Sequence, residues 1–247
     1  FYPNELDFLS AYETPTSYLR MPVTEQDRMQ NLFFLPTGSH DFKRFEGVFA
    51  WMSLLFSTRE EADPSNLIYE GLFARAREEG VSYLELTESA PTSVESLNEF
   101  QSVAEKAQRE FGITVRFLGS FNRMKAPEVN RARLAQLLTL PPSEALVGIN
   151  LLANETDTPA LETAQGIYAP LSVAVEEGRS QLHRGIHAGE LGDPRNVRDA
   201  LLMGAERIGH GVKLAQDPVT LEYASLQGTP IEVNLVSNLR LKAVESL

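Results

Sequence analysis

Cysteine is absent from all 247 residues. That excludes disulfides and every thiolate metal site, including the His/Cys/Cys zinc sets of some hydrolytic enzymes. Positive charge is in the minority. The 22 Lys and Arg face 34 Asp and Glu, and a net charge of −12 makes a nucleic-acid backbone or an anionic membrane an unexpected partner. No apolar run is long enough to span a bilayer and no secretory leader is visible, so a cytoplasmic location is the expectation. No strand-like segment runs into G-x-G-x-x-G, the phosphate turn of a dinucleotide-binding open sheet. No low-complexity linker divides the chain, so one domain over 1–247 is expected, with an irregular stretch over 1–38.

What is present is an alternation. Phe42, Phe45, Phe49 and Met52 recur at helical spacing from Ser39 to about Phe56. Asp63-Pro64 then opens a helix with Leu67, Leu72 and Ala76 inward, closed by Gly80 and followed by a strand over Val81–Leu86. Ser93 opens another helix, with Val94, Leu97, Phe100, Val103 and Ala107 inward, running to Gly112 and a strand over Ile113–Leu118. Pro127–Leu138 is a third, leading to a strand over Ala145–Leu151. Pro159–Gly178 is helical with a break expected at Pro170, and feeds a strand ending in His187. After a strand at Arg207–Gly211, Asp217-Pro218 opens the helix to Gly228, and Ile231–Leu235 reads as the sixth strand. Strands separated by helices mean a parallel α/β sheet. Polar residues recur after strand after strand: Glu88, Asn122, Glu155, His187 with Glu190, His210, and Ser237 with Asn238. A site spread over many strand ends favours a closed barrel over an open sheet.

Two of the four histidines carry the strongest chemistry. His187-Ala188-Gly189-Glu190 ends one strand and Gly209-His210-Gly211 ends the next. Between them, Asp193 and Pro194 open a helix striped by Val197, Ala200 and Leu201 and closed by Gly204. An imidazole beside small residues is a natural zinc ligand, and a carboxyl three residues on can return as a general acid or base. A second histidine at the same mouth suits metal-assisted attack by water. The blander alternative makes His187 a core histidine bonded to a carbonyl, with Glu190 capping the helix at Asn196.

His187-Ala188-Gly189-Glu190, Gly204-Ala205-Glu206-Arg207-Ile208-Gly209-His210-Gly211 and Ser237-Asn238, in that order, resemble the adenosine deaminase family. Leu146–Leu151 with Glu155 is similar to that family's fourth strand, and Tyr83–Leu86 to its second. The resemblance runs from about His40 onward and implies a (β/α)8 TIM barrel of the amidohydrolase kind, with strands two to seven readable here. It further implies one Zn2+ per site held in part by His187. Glu190 would protonate the purine ring nitrogen, and His210 would orient or deprotonate the zinc-bound water. Hydroxide, available because zinc lowers the pKa of bound water to about 7, would add to C6 of adenosine and release ammonia and inosine. Glu190 must then carry a proton at neutral pH, which calls for burial or a neighbouring carboxylate. The family's two further zinc ligands come from a His-x-His on the first strand, and this sequence has none. Its last ligand and second carboxylate come from an Asp-Asp pair on the eighth. Both strands are expected outside these residues, without which the chain would be catalytically dead. Asn150-Leu151-Leu152-Ala153 stands where the family carries Asp-Leu-Ala-Gly, so the Ala153 N–H is the expected contact to the purine. A deaminase of adenine or a modified aminopurine, and a silent purine-binding or interaction protein on the same scaffold, are the alternatives.

Overall fold

A computed structural model describes residues 22, 24, 64–156 and 160–244. The Phe-rich helix expected from Ser39 lies outside them, as does the irregular 1–38 stretch apart from residues 22 and 24. Two compact units divide the chain, residues 1–71 with 235–247 and residues 72–234. The second holds the whole sheet. Among the described residues no helix is long and apolar enough to cross a membrane.

In chain order the elements are α1 (Pro64–Glu78), β1 (Tyr83–Ser89), α2 (Val94–Lys106) with a π-turn over Ala107–Phe111, β2 (Thr114–Asn122), α3 (Pro127–Leu137), β3 (Leu146–Leu152), α4 (Ala160–Glu176), β4 (His183–Ala188), α5 (Arg195–Leu202), β5 (Arg207–His210), a 3-10 turn over Val212–Gln216, α6 (Pro218–Gln227), β6 (Ile231–Glu232) and α7 (Leu235–Arg240). The six strands are all parallel and lie in sequence order. Each pair therefore needs a crossover, which the helices supply.

The sheet is curled into a half-barrel. In a flat sheet β1 and β5 would lie four strand spacings apart, about 19 Å. Yet the Arg207 guanidinium of β5 reaches the Glu85 carboxylate of β1, and Glu232 of β6 at 3.2 Å. Asn150 of β3 likewise donates to Thr87 of β1 at 3.3 Å, across the intervening β2. Only a concave face brings such pairs together. Strand parity then places Glu85, Thr87, Asn150, Gly185, His187, Arg207 and Gly209 on that face.

The opposite face packs on the helices. Val115, Phe117, Phe121, Ile149, Leu151, Ile186 and Ile208 are buried there, against Leu134 and Leu137 of α3, Ile167, Tyr168, Leu171 and Ala174 of α4, and Val197 and Ala200 of α5. Phe100 of α2 stacks on Phe117 with centroids 4.2 Å apart. Ser93 caps α2 with a reciprocal bond to Ser96, and Asp217 caps α6 by accepting from Thr220 N at 3.1 Å, as their positions before each helix anticipate.

Several expectations need correcting. Ala76 of α1 is buried as expected, but Phe73 and not Leu72 joins it inside, and Val94 is about half exposed on α2. The helix expected to break at Pro170 is continuous. Ile167, Tyr168, Leu171 and Ala174 are almost fully buried, and their burial outweighs the roughly 3 kcal/mol cost of an internal proline. The strand expected over Ile231–Leu235 is two residues long: only Ile231 and Glu232 pair with β5, and Val233 is 63% exposed. Glu88 lies within β1 and not after it, and Ser237 and Asn238 lie in α7.

Candidate active site

The C-terminal ends of β2 to β5 supply the site. His187, the penultimate residue of β4, pairs in register with Gly209 of β5, and Ala188 with His210. The imidazole occupies space that any side chain at 209 would fill: a Cβ there would stand 2.5 Å from His187 Cδ2 and 3.1 Å from Nε2. His210 ends β5 in the left-handed region, at φ +69, with Gly211 following at φ +62. Histidine is among the residues that tolerate this conformation best, and such strain gathers at functional sites. The two imidazoles meet edge to face, with centroids 4.7 Å apart.

Burial pulls the His187 imidazole down to about 3, helped by the positive charge of His210 and Arg123. The ring is therefore neutral at physiological pH, with a lone pair to offer an acid or a metal. Glu190 goes the other way. It is 7% exposed, and burial followed by the negative charge of Glu155 pushes it up to about 7, with Arg123 opposing. Its Oε1 accepts no hydrogen bond among the described residues and lies 3.4 Å from His210 Nδ1. Asn234, just past β6, places its Nδ2 3.3 Å from the same nitrogen. A buried carboxyl that holds its proton near neutrality, beside a histidine, can serve as an acid.

Two buried charges brace this group. Arg123, one residue past β2, donates through Nε to the Leu152 carbonyl at 3.2 Å, and through Nη2 to the Leu151 carbonyl at 3.3 Å and to that of His187. It ties the ends of β3 and β4 together. Glu155, three residues past β3, accepts from the backbone N–H groups of Gly189, Leu191 and Gly192. On the outer face Tyr168 of α4 donates to the Gly185 carbonyl at 2.6 Å.

The structure thus gathers His187, Glu190 and His210, the three catalytic or metal-binding residues expected from the sequence. Ala153, the fourth expected site residue, lies one residue past β3, on the same edge of the sheet, at φ +80. Glu190 does not cap the helix at Asn196. That amide faces Glu155 instead, at 3.4 Å. Arg123 and Asn234 were not anticipated. Arg123 directly follows Asn122, which is the last residue of β2 and not, as expected, a residue after it. Among the described residues no three His, Asp or Glu side chains gather to hold a metal ion. His187 is a fitting ligand, but these residues alone do not make a metal site.

A family model described as Adenosine deaminase matches residues 8–247. The chain belongs to that family. An adenine deaminase of Aspergillus oryzae is 29% identical over 221 residues, covering 85% of this chain and 59% of that protein. An adenosine deaminase of Lacticaseibacillus casei is 27% identical over 243 residues, covering 92% of this chain and 66% of that protein. The chain therefore spans about three fifths of the length of these relatives. A solved amidohydrolase from Burkholderia ambifaria, with bound Zn, superposes with a TM-score of 0.69 at 20% identity, over 96% of this chain and 63% of that one. The half-barrel is thus part of the family's barrel fold.

Proposed function

We propose that this protein takes part in the hydrolytic deamination of an adenine-type base or nucleoside, with Glu190 as the acid. The observation that carries the reading is the Glu190 carboxyl itself: buried, pushed up to about 7, with its Oε1 3.4 Å from His210 Nδ1 and accepting no hydrogen bond among the described residues. In the overall reaction water adds to the amine-bearing ring carbon and ammonia leaves. The ring takes on negative charge as oxygen adds, so a proton delivered to its nitrogen lowers the barrier. Glu190 delivers that proton, and His210 orients the attacking water or accepts its proton. Ala153 offers its backbone N–H to the purine.

His187 serves as one ligand of a divalent metal, with zinc the first choice, and the remaining ligands must come from beyond the described residues. Adenosine, giving inosine, is the first substrate to try. Adenine or a modified aminopurine is the second, because relatives of both kinds match at nearly equal identity. A small purine and no nucleic acid is the partner that a net charge of −12 allows. A cytoplasmic location is part of the same proposal.

Glu190→Gln tests the assignment. Turnover should fall by roughly 10²–10⁴-fold, the span typical of a lost general acid, with a far smaller change in purine affinity. Turnover that survives the substitution would show the mechanism to be wrong. A silent purine-binding protein on the same scaffold is the second reading. Purine binding with no turnover at saturating zinc would select it.

A further inference from the structure

We propose that Glu155 is a positioning residue, which holds the backbone turn carrying Glu190 and so fixes where the Glu190 carboxyl stands. The inference rests on the reading of Glu190 as the acid. Its basis is the way the two oxygens of Glu155 straddle Glu190. Oε2 takes the Gly189 N–H at 2.7 Å, on one side of Glu190. Oε1 takes the Leu191 and Gly192 N–H groups at 2.7 and 2.8 Å, on the other. Asn196 adds its side-chain amide to Oε2 at 3.4 Å. Glu155 is 5% exposed, so its charge is met by these oriented donors and not by water.

The turn is shaped to receive that carboxylate. A Cβ at Gly192 would stand 2.5 Å from Asn196 Nδ2 and 3.0 Å from Glu155 Cδ. Gly189, at φ +71, would bring one within 2.6 Å of Val197 Cγ2. Gly192 lets the backbone close on the Glu155 carboxylate, and Gly189 lets it close on Val197 of α5. Glu155 comes three residues after β3, and the turn follows β4, so the contact fixes one strand end against its neighbour. The same carboxylate stands second to burial among the causes that favour a proton on Glu190. Position and protonation of the acid thus share one support.

The test uses the full protein with Glu155→Gln. The glutamine keeps the shape, but one of its two terminal atoms donates where an acceptor is needed, so at least one of the three N–H groups loses its partner. Backbone amide hydrogen exchange is read first. Exchange at Gly189, Leu191 and Gly192 should quicken by about tenfold or more, while the amides of Ile149, Ile186 and Ile208 exchange as before. With adenosine and adenine as substrates, kcat should fall by roughly 10–100-fold, as for other residues that orient a catalytic group, with KM nearly unchanged. In a Glu190→Gln background the further loss should be under about twofold, because Glu155 acts through Glu190. Glu155→Asp, an acceptor on both oxygens but shorter, should recover part of the protection and part of the turnover.

Unchanged exchange at the three amides overturns the proposal. So does a loss confined to KM, a loss that adds fully in the double variant, or no recovery with aspartate. A wild-type protein that deaminates neither substrate overturns the proposed function instead. Exchange quickened only in the turn would then still support Glu155 as its clamp.

Discussion

Glu190→Gln should stabilise this protein at alkaline pH while abolishing its proposed activity. The wild-type carboxyl is pushed from its ordinary 4.5 up to about 7, by burial first and the charge of Glu155 second. A raised carboxyl means that the folded state binds the proton more tightly than the unfolded chain does. That contribution is complete below about pH 4.5, fades as pH rises, and is gone above about 7. A shift of this size corresponds to about 3 kcal/mol at 1.36 kcal/mol per pH unit. Glutamine cannot ionise and escapes the loss. Urea unfolding of both proteins at pH 4.5 and pH 8.5 isolates the effect, since the other titrating groups cancel between them. The stability of Glu190→Gln relative to wild type should rise by about 3 kcal/mol between these two pH values. A difference that stays flat within about 1 kcal/mol would refute the assignment of a protonated, buried Glu190.

Two further substitutions probe the geometry. Gly209→Ala drives a methyl to 2.5 Å from the His187 ring, so stability should fall by about 1–3 kcal/mol in urea titrations. The His187 ring resonances should move in the NMR spectrum as the imidazole is displaced, and an unchanged ring would contradict the contact. Ala153→Gly relieves a left-handed alanine at φ +80, and should stabilise the fold by about 1 kcal/mol. A loss of stability there would mean that the alanine methyl packs productively.

Much of the fold is legible because it rests on local signals. Ser93, Asp217, Gly80 and Gly228 mark helix ends by chemistry that acts within one turn, and all four stand at helix boundaries. The readings that failed depend on neighbours far away in the chain. Whether Pro170 breaks a helix is decided by the buried Ile167, Tyr168, Leu171 and Ala174 around it. Whether Ile231–Leu235 is a long strand is decided by how far it pairs with β5, which is only through Ile231 and Glu232, and alternation cannot reveal that. Leu72 and Phe73 are adjacent, and only packing selects which turns inward.

The site divides in the same way. His187, Glu190 and His210 were visible because two short stretches hold them and β4–β5 pairing aligns those stretches. What gives the three side chains their character comes from elsewhere. Arg123 lies 64 residues before the His187 carbonyl that it binds, and Glu155 lies 34 before the Gly189 N–H. No spacing rule joins them to the motif. Yet without Glu155 the N–H groups of Gly189, Leu191 and Gly192 lose their acceptor, and Glu190 loses a neighbour that favours its proton. A carboxylic acid that protonates a base at neutral pH is favoured by an apolar setting and, further, by a nearby negative charge held in place by other partners. Glu155 supplies that charge while backbone donors satisfy it. Gly192, to which the sequence reading gave no role, is in the fold the room for that carboxylate, since a Cβ there would stand 3.0 Å from Glu155 Cδ.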